Sequence, residues 1–214
     1  MKEKTFLQMQ AYNAIKNSIL SGELQPEQLY SETRMSAQIG VSRTPMREAL
    51  QCLAQDGYIT IIPSKGFMLR QLNEKDRKDS VEVRCAIEGY CTTVIAAQVE
   101  TAPVQQLLSQ LEEKLRAMDT AREQHDLDAF ITSDHQFHLL LVGFVHNEEF
   151  DEIFQRLLYL IRLTSQDALS AEGRLAQTAQ EHRDYYDALR QGDGAKAYQI
   201  MLQHLTMPLK LHTK

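Results

Sequence analysis

Residues 31–50 read Ser-Glu-Thr-Arg-Met-Ser-Ala-Gln-Ile-Gly-Val-Ser-Arg-Thr-Pro-Met-Arg-Glu-Ala-Leu, and this stretch decides the fold of the first part of the chain. It predicts a helix, a tight turn at Gly40, where glycine can take a positive φ, and a second helix. We expect the hydroxyl of Ser42 to cap the second helix and Pro45 to lie in its first turn, where the missing N–H costs little. The pattern is typical of a helix-turn-helix.

The second helix of this motif has two different faces. Its apolar residues recur at i, i+3, i+4 and i+7, which predicts a buried stripe formed by Met46, Ala49, Leu50 and Leu53. Another face carries Arg43, Arg47 and Gln51 at intervals of four residues. Long basic and amide side chains are the groups that read base edges in a DNA groove, so we interpret this segment as a recognition helix.

The segment after the motif predicts a β-hairpin. Residues 58–62 and 67–69 are rich in β-prone side chains and flank Pro63-Ser64-Lys65-Gly66. A first helical stripe, from Leu7 to Ile19, precedes the motif. Helix, helix-turn-helix and hairpin together indicate a winged helix. Lys65 and Gly66 would lie at the tip of the wing, close enough to contact a phosphate or the minor groove.

From residue 73 onward the apolar periodicity is helical throughout. It predicts six helices, near residues 75–99, 103–123, 126–145, 148–170, 175–191 and 194–212. We therefore predict a mainly α fold with two domains. Residues 1–72 form a DNA-binding winged helix-turn-helix with a small β-hairpin wing, and residues 73–214 form an all-α helical bundle.

Charge and composition separate the two parts further. Residues 1–72 hold eight Lys and Arg against six Asp and Glu, whereas residues 73–214 hold 15 against 23. This asymmetry favours a DNA-contacting head and an acidic body with another role. No apolar run reaches the roughly 20 residues of a membrane helix, and the N-terminus lacks the apolar core of a secretory signal. We expect a cytoplasmic protein with reduced cysteines, which are Cys52, Cys85 and Cys91.

The bundle contains a possible set of metal ligands. Asp134 and His138 are four residues apart and face the same side of one helix. His182 and His204 lie at similar distances before and after the turn at Gly192, so antiparallel helices would bring them to one level. Three imidazoles and one carboxylate suit Zn²⁺, Ni²⁺ or Mn²⁺. The spacing alone also allows the other interpretation, that these are ordinary side chains of amphipathic helices.

Two arginines in the bundle, Arg84 and Arg162, are candidates for binding a carboxylate. A guanidinium that faces a cavity can bind a carboxylate through two hydrogen bonds. Surface salt bridges explain both residues equally well, and Glu88, four residues after Arg84, is an obvious intrahelical partner. We expect Glu181 to be solvated.

Nearly the whole chain resembles the GntR family of bacterial transcription regulators, in the subfamily related to FadR that carries a C-terminal FCD domain. Residues 40–50, Gly-Val-Ser-Arg-Thr-Pro-Met-Arg-Glu-Ala-Leu, are similar to its recognition-helix signature, and residues 63–67 to its wing. Residues 83–88, Val-Arg-Cys-Ala-Ile-Glu, resemble the opening helix of FCD domains. Four positions resemble the metal ligands of that subfamily, namely Asp134, His138, His182 and His204.

The resemblance implies a homodimer on a palindromic operator and a helical domain that also dimerises and senses a small carboxylate beside a divalent metal. The DNA-contacting residues that it implies are Arg34, Ser42, Arg43, Thr44, Arg47, Lys65 and Gly66. In the family an Arg usually stands at the position of Thr33, so Arg34, one place later, would project in another direction.

We therefore predict a transcription regulator, not an enzyme, whose operator affinity is controlled by a small organic acid bound next to a divalent metal. Arg84 and, by the same reasoning, Arg162 would balance the charge of the acid. A second hypothesis makes the metal itself the signal. A third, a metal-dependent hydrolase joined to a DNA tether, would leave the winged helix unexplained and has no evident general base.

Overall fold

The structure, a computed structural model, describes residues 5–71 and 73–211. Within these ranges the chain forms nine helices and one two-stranded sheet, and it divides into two compact units, Met1–Leu72 and Asn73–Lys214. The predicted mainly α fold with a small hairpin is confirmed. None of the helices in the described ranges combines the length and apolar character that a bilayer-spanning segment needs.

The first unit has the predicted helix-turn-helix. Its helices are α1 (Phe6–Leu20), α2 (Glu32–Ile39) and α3 (Arg43–Gln55). The whole apolar stripe of α3 is buried, with Met46, Ala49 and Leu53 fully inaccessible to solvent. Because α3 packs on α1 through this stripe, its opposite face remains exposed, including Arg43 and Arg47.

The turn between α2 and α3 follows the prediction at Gly40 but not at Ser42. Gly40 ends α2 in the left-handed conformation, at φ 77°. Ser42 is the N-cap residue of α3, yet its side chain makes no capping hydrogen bond, so that prediction was wrong. The reason is Pro45, which occupies the third helical position and has no N–H to donate to a capping hydroxyl.

The wing is an antiparallel hairpin of β1 (Ile59–Ile62) and β2 (Gly66–Leu69), in which Ile62 pairs with Gly66. Tyr30 adds a β-bridge to Phe67 and stacks on its ring at 5.6 Å. A Cβ at Gly66, where φ is 135°, would lie only 2.0 Å from the carbonyl oxygen of Tyr30. The glycine is therefore required by packing inside the unit, and not only by an approach to DNA.

The second unit is a bundle of six helices. They are α4 (Glu74–Ala96), α5 (Ala102–Glu123), α6 (Leu127–Phe144), α7 (Glu148–Leu169), α8 (Arg174–Arg190) and α9 (Gly194–Leu211). Each starts and ends within three residues of its predicted position. The predicted end of the last helix, at residue 212, lies outside the described residues.

Helix α6 lies in the middle of the bundle, packed against α4, α5 and α7. Its apolar residues Phe130, Ile131, Phe137 and Leu141 are fully buried. Because α6 is covered on several sides, polar residues on its inner face are also removed from solvent. Asp134 and His138 are such residues, and burial of their polar groups requires specific partners.

Candidate functional site

The first unit has a groove of about 250 Å³ at the N-terminal end of the recognition helix. Arg43 and Arg47 line it from α3, and Lys65 and Gly66 from the wing. Thr33 lines it from α2. The groove thus collects three cationic side chains from two elements, which is the charge pattern that suits a phosphate backbone or a base edge.

The remaining predicted DNA-contacting residues have other positions. Arg34, Ser42 and Thr44 are exposed but do not line the groove. Sequence reasoning missed Glu32, which accepts a hydrogen bond from Nε of Arg47 at 2.8 Å. This pair holds the guanidinium from one edge and leaves its two terminal amino groups for another acceptor.

In the bundle, the structure brings the four predicted metal ligands together from three helices. Asp134 and His138 lie one turn apart on α6, His182 on α8 and His204 on α9. Each residue offers one ligand atom, and the four atoms lie within 4.8 Å of one another. Asp134, His138 and His182 are buried, and the side chain of His204 is 12% exposed.

Hydrogen bonds at the Nδ1 atoms fix the orientation of all three rings. Nδ1 of His138 bonds to a carboxylate oxygen of Glu88 at 2.5 Å, and Nδ1 of His182 to the carbonyl oxygen of Thr178 at 2.8 Å. Nδ1 of His204 bonds to Oε2 of Glu181 at 2.8 Å. Ionised carboxylates and carbonyls only accept, so each Nδ1 carries the proton and each Nε2 keeps a free lone pair.

These lone pairs face one another. Nε2 of His138 lies 3.3 Å from Nε2 of both His182 and His204. Oδ1 of Asp134 lies 3.2 Å from Nε2 of His182 and 3.9 Å from Nε2 of His138. Unprotonated nitrogens at such distances repel, unless a cation lies between them. A tetrahedron of ligands at about 2.0–2.1 Å from Zn²⁺ has edges of about 3.3–3.4 Å, so the donor set fits a divalent metal.

The pKa values agree with a set of neutral imidazoles and anionic carboxylates. Burial lowers the pKa of His204 to about 4, helped by the charge of the neighbouring His182. Burial likewise lowers the pKa of His138. Burial by itself raises the pKa of Asp134, but the neighbouring histidines, His182 first and then His138 and His135, outweigh this and hold the pKa well below its usual value. These are the protonation states that metal binding requires.

An Arg–Glu pair supports each of two ring orientations, one of them buried and the other partly exposed at Glu181. Arg84 donates to Glu88 through Nε at 2.6 Å, and Glu88 is fully buried. Arg174 donates to both oxygens of Glu181, at 2.5 and 2.7 Å. The predicted Arg84–Glu88 pair is therefore present. Glu181, predicted to be solvated rather than catalytic, is 29% exposed and also accepts from Arg174 and His204. Neither link to a histidine was predicted: Glu88 and His138 lie 50 positions apart on α4 and α6, whereas Glu181 and His204 lie on the consecutive helices α8 and α9.

A small cavity of about 30 Å³ adjoins the cluster. Asp134 and His204 line it, together with Arg84, Arg174 and Thr178. Nη2 of Arg84 and Oγ1 of Thr178 are buried and have no hydrogen-bond partner among residues 5–71 and 73–211. A buried donor without a partner costs free energy, so these two atoms favour a polar ligand in the cavity.

Arg162 lies elsewhere. Its Nη2 donates to Asp128 at 2.7 Å, and it does not line the cavity. The salt-bridge interpretation therefore describes Arg162, and we leave it out of the effector site. His135, next to Asp134 on α6, faces Ser165 at 3.4 Å rather than the metal cluster.

Each of the two units matches a known protein family. Residues 7–69 match the family described as bacterial regulatory proteins, gntR family, and residues 79–207 match the FCD domain. The HTH-type transcriptional regulator YdhC of Bacillus subtilis (strain 168) is 27% identical over 196 residues, which cover 92% of this chain and 86% of YdhC.

Two solved structures have the same fold. The GntR-type transcriptional regulator from Rhodococcus sp. RHA1 matches with a TM-score of 0.82 and 22% identity, over 97% of both chains. The Zn²⁺-bound FCD domain of TM0439 matches 67% of this chain and 99% of that domain, with a TM-score of 0.50 and 19% identity.

The related proteins are transcriptional regulators rather than enzymes, so the hydrolase hypothesis loses its support. The winged helix with its cationic groove and the FCD-type bundle account for the whole described chain. The chain therefore belongs to the gntR family of bacterial regulatory proteins and is a DNA-binding transcriptional regulator with a C-terminal FCD domain.

Proposed function

We propose that the operator affinity of this regulator is controlled by a small organic acid bound next to a divalent metal in the FCD domain. The metal would be held by Asp134, His138, His182 and His204. The observation that carries the proposal is the convergence of three unprotonated Nε2 atoms and one carboxylate oxygen. The Zn²⁺ in the FCD domain of TM0439 gives further support.

The cavity beside the cluster supports an anionic effector. Bound metal supplies positive charge that attracts a carboxylate. Arg84 adds an unpaired Nη2 donor, and Thr178 adds an unpaired hydroxyl. Since the cavity has only about 30 Å³, it holds a carboxylate group, and a longer acid requires the lining side chains to move. Such a movement would repack the bundle, and the differential binding energy would then shift the affinity for DNA.

We propose that the chain acts as a homodimer in the cytoplasm, on a palindromic operator whose two half-sites each receive one recognition helix. Arg43 and Arg47 would contact bases or phosphates, with Ser42 and Thr44 beside them at the start of α3. Lys65 and Gly66 would contact the minor groove. The exposed Arg34 would reach the backbone outside the groove.

A thermal-shift screen of the metal-loaded protein against a panel of small organic acids tests the effector proposal. A ligand that binds the folded state stabilises it, by about 2.7 kcal/mol when the free ligand concentration is 100 times Kd, and this stabilisation raises Tm. We expect one class of acid to raise Tm, and this increase to disappear after chelation or in His182→Ala. If no acid raises Tm while the metal does, the organic-acid proposal is wrong.

The second candidate function, in which the metal itself is the signal, has one observation in its favour. The chain offers four ligands, which is the number that completes a tetrahedral shell and leaves no position for an acid. A metal with octahedral geometry would keep two positions open. Operator binding that depends on metal and ignores every acid would favour this alternative.

A further inference from the structure

The cluster is connected to the cavity by two similar chains of contacts. In one, Arg84 pairs with Glu88, which accepts from His138. In the other, Arg174 pairs with Glu181, which accepts from His204. Both arginines also line the cavity. Each chain thus runs from a cavity guanidinium, through a carboxylate, to the Nδ1 atom of a histidine whose Nε2 faces the cluster.

We propose that Arg174 and Glu181 are positioning residues for His204, and that an anion in the cavity changes the metal affinity of the cluster through them. The inference rests on the proposed function, because it requires a metal at the cluster. It adds a route of communication between effector and metal that does not need a direct bond between the two.

The geometry of the second chain is well suited to positioning. Arg174 is 4% exposed, and its Nη1 and Nη2 bind the two oxygens of Glu181 side by side. This fork fixes the plane of the carboxylate. Oε2 then also accepts from Nδ1 of His204, so the ring can neither rotate nor move its proton to Nε2 without loss of that bond.

Arg174 gives the same chain its access to the cavity. It lies against the space that Asp134 and His204 also line. An anion there shares the guanidinium charge with Glu181 while the fork still holds the plane of the carboxylate, whereas Arg174→Gln loses that orientation as well. Glu181 then becomes a stronger acceptor for His204, and the imidazole becomes a better metal ligand. By thermodynamic linkage the metal must raise the affinity for the anion by the same factor.

The test measures Zn²⁺ affinity of the full chain by competition with a chromophoric chelator. We expect Glu181→Gln to lose about 10–100-fold in affinity, as for other partners of metal-binding histidines. Arg174→Gln should lose less Zn²⁺ affinity than Glu181→Gln. Arg174→Lys, which keeps the positive charge, should have an affinity between those of Arg174→Gln and the wild type. Arg183→Gln is the matched control, since Arg183 is on α8 but pairs with Asp119. Its affinity should be unchanged.

Two further measurements keep the outcome clear. If Glu181→Gln fails to fold, the double variant Arg174→Gln/Glu181→Gln removes both charges together and takes its place. The visible spectrum of the Co²⁺-loaded protein reports ligand geometry, and we expect it to change in Glu181→Gln but not in Arg183→Gln. A merely structural role of the pair would lower Tm and leave both affinity and spectrum unaltered.

Acetate, the simplest carboxylate, tests the communication. At constant ionic strength it should raise the Zn²⁺ affinity of the wild-type protein several-fold and that of Arg174→Gln by clearly less. An equal change in both proteins, or none in the wild type, overturns the proposed communication. Wild-type affinity in Glu181→Gln overturns the positioning role. A wild-type protein that binds no Zn²⁺, Ni²⁺ or Mn²⁺ would instead refute the proposed function itself.

Discussion

Glu88 links the helix α4 to the metal cluster, and its replacement by glutamine makes a sharp test. The carboxylate is fully buried and accepts from two donors, Nε of Arg84 at 2.6 Å and Nδ1 of His138 at 2.5 Å. Its attraction to Arg84 and His138 outweighs the effect of burial and lowers its pKa to about 2, so it is anionic at neutral pH. Glutamine has the same shape but only one acceptor oxygen.

Glu88→Gln therefore leaves one of the two donors facing an NH₂ group. If that donor is on His138, the ring must move its proton to Nε2, which blocks the lone pair that faces the cluster. We expect metal affinity to fall about 10–100-fold, equal to about 1.4–2.7 kcal/mol. Loss of the anion also leaves the buried positive charge of Arg84 uncompensated, which costs about 3–5 kcal/mol of folding stability.

The assay is a Zn²⁺ competition titration on the variant at a temperature where circular dichroism shows it folded, with chemical denaturation for stability. Glu82→Gln is the matched control, because Glu82 is an exposed residue of the same helix that pairs with Lys78. Its affinity and stability should stay within error of the wild type. A folded Glu88→Gln protein with wild-type metal affinity would refute the argument that Glu88 orients His138.

Three further predictions concern stability and DNA binding. The stability of the chelated protein should fall by up to about 3 kcal/mol as pH drops from about 6.5 to about 4, as measured by urea unfolding. In this interval His204 binds a proton in the unfolded chain but stays neutral in the folded protein, where its pKa is about 4. Gly66→Ala should destabilise the first unit by about 2–4 kcal/mol in chemical denaturation, because its Cβ would overlap the carbonyl of Tyr30 at a strained φ. Glu32→Gln should raise affinity for non-operator DNA several-fold in fluorescence anisotropy and reduce the preference for the operator, because it removes the anion that holds Arg47.

Each of these predictions has a control in the chain. Stability of the chelated His204→Gln protein should fall less over the same pH interval, and an equal slope would contradict the assignment. Gly22→Ala also has a positive φ, at 76°, but no neighbour within 4 Å in the described part of the chain, so a loss equal to that of Gly66→Ala would show that the clash is unimportant. Glu48→Gln, exposed on α3, should leave the DNA preference intact.

Local sequence patterns predicted the elements well because the forces that form them are local. Apolar spacing in α3 identified the stripe that is buried, and Gly40 marked the turn by its tolerance of positive φ. The failure at Ser42 is equally local. At the third helical position, where a capping hydroxyl would find an N–H, Ser42 faces Pro45, which has none.

The candidate metal ligands could be grouped from the sequence because helical geometry relates them within one helix or across one turn. Asp134 and His138 share a face, and His182 and His204 are symmetric about the turn between α8 and α9. The residues that orient the rings were less accessible to such reasoning. Glu88 reaches His138 across 50 positions in the chain, a contact that only the packing of α4 on α6 creates.

Charged residues were the hardest to interpret from sequence. Arg84, Arg162 and Arg174 all lie in amphipathic helices, yet two line the cavity and one pairs with Asp128. Helical periodicity distinguishes buried from exposed faces, but not a cavity from a salt bridge. The same limit applies to Glu181, which is 29% exposed and also binds Arg174 and His204.

The central claim, that metal and acid together set operator affinity, is tested most directly by one titration. Fluorescently labelled operator is titrated with the full chain in the metal-loaded state, after chelation, and after addition of the acid that raises Tm. Our account predicts that this acid changes the operator Kd by about 5–150-fold in the metal-loaded protein only, and that His182→Ala/His204→Ala abolishes the change. An identical Kd in all states of the wild-type protein would contradict it.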